Sequence, residues 1–178
     1  MLMLVLMSAL TAGALDIGDL APPIVADEWL QGEPTSTQGK VVVVTFFASW
    51  CGPCRDSVPH LNKMQAANPD DLVVIAVASD QDEPPIRLGL FIEHTGMAYR
   101  AITDDSRRTH TAYMRGMGVN SIPAAFLIDR AGRLVWQGHP MRLREHATMA
   151  VAGPTPDVTH EALGEARLSA KIAKWLNR

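Results

Sequence analysis

Two cysteines stand three positions apart in Trp50-Cys51-Gly52-Pro53-Cys54, and the 178-residue chain contains no others. Sulfur at that spacing suits thiol–disulfide exchange, in which a thiolate attacks a disulfide and a second thiol resolves the mixed disulfide. The apolar run Val41-Val42-Val43-Val44-Thr45-Phe46-Phe47 precedes the pair and a helical pattern follows it, so Cys51 falls at a helix N-terminus. There the free backbone N–H groups and the positive dipole end favour thiolate over thiol. Cys54 then lies one helical turn away, placed to resolve. Pro53 fits the first turn, where its missing N–H costs nothing. Gly52 lets the chain turn tightly and leaves room for a partner. Other uses of the pair fit less well. A disulfide closing so short a loop removes little chain entropy. A zinc site needs two further ligands; helical spacing turns the nearest histidine, His60, away from the pair and onto the surface. A peroxidatic cysteine would want a hydroxyl three residues upstream, where Ala48 stands.

The elements that must hold this pair follow from hydrophobic patterning. Val41–Phe47 is apolar on both faces, as a central strand of a covered sheet requires, and Leu72–Ala78 repeats the pattern. Between them Val58, Leu61, Met64 and Gln65 recur at helical spacing. Strand, helix and strand over so short a stretch form a βαβ unit with parallel strands. Gln81–Pro85 is acidic and proline-rich and reads as a loop. Ile86–His94 reads as a helix with Ile86, Leu90 and Phe91 on one side, and Thr109–Met114 is more weakly helical. Ala124–Ile128 and Leu134–Gln137 flank a Gly132-containing turn, a hairpin signal. Parallel strands followed by a hairpin give a mixed sheet with helices on both faces. Met141–Val151 suits a short helix. A Gly153–Asp157 turn then leads to a final helix, capped by Thr159, that runs to about Asn177 and docks on its own domain.

Composition closes off several function classes. The chain is 47% hydrophobic and 20% charged with net charge −3, which excludes disorder and gives no basic footprint for nucleic acid. The run MLMLVLMSAL with Ala12-Gly13-Ala14 after it reads as a secretory signal, too short to span a bilayer. It lacks a Lys or Arg before the apolar stretch, and a buried first strand is the other reading. The expected organisation is a hydrophobic segment over 1–14, one domain over 15–140 and a helical extension over 141–178. His94, His110, His139, His146 and His160 are scattered and suggest no metal cluster; no cofactor is expected. Trp29, Trp136 and Trp175 read as packing residues.

From Ile17 to Pro140 the chain resembles the thioredoxin superfamily, and within it the TlpA/ResA-like exported thiol–disulfide oxidoreductases. Phe46-Phe47-Ala48-Ser49-Trp50-Cys51-Gly52-Pro53-Cys54-Arg55 is similar to the family's active-site segment, and Pro59 falls at its helix-kinking proline. Gly118-Val119-Asn120-Ser121-Ile122-Pro123-Ala124 resembles its second signature, and Leu15–Pro23 its N-terminal extension. The resemblance implies an α/β thioredoxin fold: a mixed central β-sheet flanked by helices, with an N-terminal extension and an extra C-terminal helix. It implies that Cys51 attacks and Cys54 resolves. It makes Pro123 a cis-proline facing the cysteines, with the backbone of Ile122 exposed to an extended substrate. Trp50 would shield the cysteines and meet substrate, or cap the core. Thioredoxin's buried Asp is replaced here by Thr45, which cannot act as a base. An acid after the next strand takes that part in the family, which makes Glu83 and Asp80 the candidate proton acceptors. The implied activity is a monomeric reductase of protein disulfides, served by a membrane or soluble thiol donor, with cytochrome c maturation as one setting. A disulfide-forming oxidase and a non-catalytic redox-sensing module are the alternatives. Gly138-His139-Pro140 matches a subset of the family without a derivable reason.

Overall fold

The computed structural model describes residues 14–80 and 82–152. The 1–14 segment (all but Ala14), the Thr159–Asn177 helix and Trp175 therefore lie outside the described residues. Six strands form one sheet in the order β1-β4-β3-β2-β5-β6. β2 (Val41–Phe47) and β3 (Leu72–Ala78) are buried at every residue and run parallel in register from Val41 against Leu72 to Phe47 against Ala78. Alternation splits β2 between two cores. Val41, Val43 and Phe47 face α1 (Gly52–Ala67) and α2 (Pro85–Thr95), together with Leu61, Leu88 and Phe91. Val42, Val44 and Phe46 face Tyr113, Met114 and Phe126 on the other side. Phe46 meets Phe126 edge-on at 5.7 Å and His110 at 5.8 Å. Truncating such a ring to Ala costs about 3–5 kcal/mol.

β5 (Ala124–Ile128) pairs antiparallel with β2, and β6 (Leu134–Gly138) with β5. The hairpin turn is held by Asp129, whose Oδ1 accepts from the N–H groups of Ala131 and Arg133. The N-terminal extension adds to this edge, where Gly18 N donates to Leu134 O at 2.7 Å and Ala21 N to Gly132 O at 2.8 Å. Gly138 has a local reason: a Cβ there would lie 2.6 Å from the Trp136 indole, which is stacked on His146. His139 caps the following turn by accepting from Met141 N.

Two strands escape the sequence reading. β4 (Arg100–Thr103) pairs parallel to β3, and β1 (Glu28–Gln31) pairs antiparallel to β4 through a bulge between Trp29 and Gln31. Both are four residues long, too short for alternation to register. The assigned face of α2 is also corrected. Leu88, Phe91 and Ile92 are buried, whereas Ile86 is 69% and Leu90 44% exposed. Pro84 caps this helix and Pro85 starts it, which turns the Leu88–Phe91–Ile92 side inward. His60 is half-buried rather than on the surface. α3 (Arg108–His110) runs into a π-helical turn, Thr111–Arg115. Past a turn at Pro140–Arg142, α4 (Arg144–Ala152) places Ala147 in the α1–α2 core beside Leu143.

Candidate active site

β2 delivers the chain to the carboxyl edge of the sheet, between its neighbours β3 and β5, where α/β sheets open their crevices. The turn that follows puts Cys51 at the N-cap of the 16-residue α1. Cys51 Sγ accepts from the N–H of Cys54 at 3.2 Å. The sulfur thus occupies the place of a capping oxygen, facing the unsatisfied amides of the first turn. Cys51 and Cys54 are joined in a disulfide with Cα atoms 5.3 Å apart, and each is only 4% exposed. Pro53 lies in the first turn and Pro59 inside the helix. Gly52 needs no special backbone: its φ is not left-handed, and a Cβ would meet open space. Tight turning is therefore not its reason.

Trp50 is 65% exposed, so it caps no core. Its Nε1 donates to Asp80 Oδ2 at 3.0 Å. Glu83 is different: it is buried at 9% exposure, not part of a solvated loop. Both of its carboxylate oxygens accept from Ser49 N, at 3.1 and 3.0 Å, and Oε1 also accepts from the Ser49 hydroxyl. Burial pushes the Glu83 carboxyl above the usual glutamate range; the Ser49 N–H opposes this, Asp80 adds to it and Arg87 opposes it. Thr45, buried at 4%, donates its hydroxyl to Ala124 O and offers no base.

The Ile122–Pro123 peptide is cis and leads directly into β5. Ile122 and Trp50 line a cleft of about 770 Å³ together with Asp80, Arg107, His110 and Arg115. Sequence reasoning missed the last three as site residues. No spacing rule joins residue 107 to residue 79, yet Arg107 Nη1 donates to Ser79 O at 2.8 Å, and Nη2 lies 2.9 and 3.0 Å from the two ring nitrogens of His110. Among the described residues, Arg107 is the one non-glycine residue with positive φ, at 56°, a strain of about 1 kcal/mol or more that its tertiary contacts must hold. Buried Asp104 fixes the next turn, accepting from Thr109 N and His110 N. Burial, then the Arg107 charge, holds the His110 ring below the ordinary histidine value; Asp104 opposes this and Arg115 adds to it. Among the described residues, no three His, Cys, Asp or Glu side chains gather as a metal site would need.

The comparisons agree with this geometry. The Redoxin family model matches residues 18–150. The chain belongs to the Redoxin family. Thiol-disulfide oxidoreductase ResA of Bacillus anthracis is 31% identical over 126 residues, covering 69% of each chain. ResA of Geobacillus thermodenitrificans is 30% identical, covering 68% of each. Among solved structures, the thiol:disulfide interchange protein DsbE of Chlorobium tepidum is 30% identical with a TM-score of 0.63, over 78% of this chain and 99% of that one. This redoxin is thus a thiol–disulfide oxidoreductase with a thioredoxin-like fold.

Proposed function

We propose that this redoxin reduces protein disulfides, with Cys51 as nucleophile and Cys54 as resolving thiol. The observation that carries the reading is the position of Cys51 Sγ, which accepts from Cys54 N at the N-terminus of α1. In the dithiol form a helix N-terminus favours thiolate over thiol. Cys51 thiolate attacks a substrate sulfur, the S–S bond breaks and one substrate thiolate leaves. Cys54 then gives its proton to Glu83 and attacks Cys51 Sγ. The second substrate thiolate leaves, and two electrons have passed from the protein to the substrate. Glu83 suits the acceptor's part because burial raises its pKa toward that of a thiol, and matched pKa values favour proton transfer. Asp80 instead positions Trp50 through the indole N–H. The Trp50–Ile122 cleft takes the extended substrate segment, and the cis peptide to Pro123 follows directly on Ile122.

The disulfide left behind must be re-reduced by a membrane or soluble thiol donor, and the protein acts as a monomer. Gly-Pro between the cysteines, as in reducing thioredoxins, supports reduction over oxidation. The hydrophobic 1–14 segment supports export to an oxidising compartment such as the periplasm, where reductants of this kind serve cytochrome c maturation. Titration with thiol buffers tests the direction of electron flow. A reduction potential near about −270 mV is expected, and one near about −120 mV would mark a disulfide-forming oxidase instead. Cys51→Ser should abolish insulin reduction, and surviving turnover would remove Cys51 from the nucleophile's role.

A further inference from the structure

A second groove opens on the α1–α2 side of the sheet. It encloses about 410 Å³ and is lined by Ser49, Arg55, Arg87, Leu90, Phe91 and His94, with Thr95 at its end. It shares no lining residue with the Trp50–Ile122 cleft. Ser49 and Arg55 bracket the Trp50–Cys54 turn in sequence, so the groove adjoins the segment that carries the cysteines. Arg87, Leu90, Phe91 and His94 follow one another at the three- and four-residue spacing that puts them on one side of α2. Phe91 forms the floor, stacked on Phe47 at 5.3 Å. Leu90 is 44% exposed, and Ile86 one turn earlier is 69% exposed. The Thr95 hydroxyl is turned back onto its own helix, donating to Phe91 O at 2.7 Å.

The charge of the groove runs against the rest of the molecule. The whole chain carries a net charge of −3, yet two guanidinium groups and an imidazole stand in the groove's walls without a carboxylate among them. Three arginines elsewhere are engaged: Arg108 pairs with Asp27, Arg130 with Asp71 and Arg107 with Ser79 O. The ion pairs of the described residues involve neither Arg55 nor Arg87. Glu83 feels the Arg87 charge but gives both its oxygens to Ser49. Cations left open around an exposed aliphatic strip match a polypeptide that carries carboxylates and an aliphatic side chain together. A concave groove also suits an inserted segment better than a flat membrane surface.

We propose that this groove docks an acidic segment flanking the cysteines of the redox partner, with carboxylates against Arg55 and Arg87 and an aliphatic side chain on Leu90 and Ile86. The inference rests on the oxidoreductase reading and assigns it a preference among partners. The reaction it biases is the balanced exchange already given: protein dithiol and partner disulfide become protein disulfide and partner dithiol.

The test compares two synthetic peptides with the same internal disulfide, one flanked by Glu and Leu and the other by Lys and Leu. The ratio of their reduction rates cancels any change in intrinsic thiol reactivity. At low salt the Glu peptide should react about tenfold faster, as electrostatic complementarity acts mainly on association. The advantage should fade at high ionic strength. Arg87→Glu should bring the ratio to about one or invert it, and Leu90→Ser should slow both peptides alike. An uncharged hydroxyethyl disulfide cannot use the groove, so its rate with each protein reads any change in intrinsic reactivity, including one through Glu83, which feels the Arg87 charge. If that small disulfide reacts but the peptides are not discriminated, or Arg87→Glu leaves the ratio intact, the docking proposal falls alone. If nothing reacts, the oxidoreductase reading falls and takes the proposal with it. If the ratio is one while Arg87 and Ile86 are needed for binding to anionic phospholipid vesicles, the groove is a lipid contact and the proposal is overturned.

Discussion

The two flanks of the Cys51–Cys54 turn are built from the same kinds of residue and use them in opposite ways. Toward α2, Glu83 is buried and grips the backbone of Ser49 with both oxygens. Toward α3, Asp80 stays at the surface and spends one oxygen on the indole of Trp50. The two carboxylates leave the same strand, β3, three residues apart. Their environments separate them: one is desolvated and its pKa rises, the other remains a solvated acceptor. Under the proposed mechanism a carboxyl raised by burial suits proton traffic, and a carboxylate holding an exposed aromatic ring suits substrate contact. On that reading the α2 flank does chemistry and the Trp50 side recognition.

Removing the buried acid should produce the larger effect. Glu83→Gln is expected to slow resolution of the mixed disulfide by about 10²-fold, the lower end of what a positioned acid or base contributes. Single-turnover reduction of a peptide disulfide, followed by Trp50 fluorescence, reads it. The pH dependence has a definite sign. The acceptor must be ionised, so the wild-type rate falls as pH drops through a pKa that lies above the usual glutamate range. The variant should lack this limb. Stability moves the opposite way, because a raised folded pKa favours the protonated native state. The Glu83 contribution is fully present below the ordinary value of 4.5 and is lost as pH rises through the folded pKa. Should Glu83→Gln resolve at the wild-type rate with its acid limb intact, the α2 flank holds no proton acceptor.

What the sequence disclosed depends on how local the signal was. β2 and β3 are continuous β-branched runs buried on both faces, and nothing but a central strand accommodates them. The cysteine pair announces itself by spacing and by the strand before it. β1 and β4 carry only four residues each, and their strand character comes from the neighbour they pair with. The α2 face went wrong because Ile86, Leu90 and Phe91 make as good a helical stripe as Leu88, Phe91 and Ile92; packing chose between them. Glu83 and Asp80 are both legible as acids after β3, but that Glu83 is buried and Asp80 is not depends on packing, which no pattern of residue types encodes. Arg107 and His110 come to the cleft through the turn after β4 and were invisible for that reason.

A smaller effect is expected at the Trp50 side. Asp80→Asn keeps a hydrogen-bond acceptor but removes the charge, and Asp80→Ala removes both. Hydrogen bonds to charged groups contribute about 1.5–3 kcal/mol when sheltered, and this one lies at the surface. A loss of about three- to tenfold in the second-order rate with a peptide substrate is therefore expected for Asp80→Ala. Asp80→Asn should recover part of it, and an uncharged small disulfide should react at the wild-type rate. The comparison breaks if Asp80→Ala slows the small disulfide as much as the peptide, since Asp80 would then act on the sulfurs and not on recognition.

The smallest effect concerns the far wall of the same cleft. His110 is half-buried against Phe46 at 5.8 Å and faces the Arg107 guanidinium, the Asp104 carboxylate and Arg115. Burial and the Arg107 charge outweigh Asp104 and hold the ring below the ordinary histidine value. A histidine with a lowered folded pKa gives stability that is complete above its unfolded value, near 6.5, and is lost as pH falls through the folded pKa. The unfolded chain takes up a proton there that the native ring resists. His110→Gln cannot be protonated, so its melting temperature should fall less than that of the wild type between neutral pH and pH about 5.5. A difference of about 2 °C is the scale a fraction of a kcal/mol produces in a domain of this length. Glu83 titrates in the opposite sense, so measuring both proteins in the Glu83→Gln background isolates the imidazole. Parallel curves in that background would mean that Arg107 does not oppose protonation of His110, and that their contact serves only to hold the left-handed backbone of Arg107 in place.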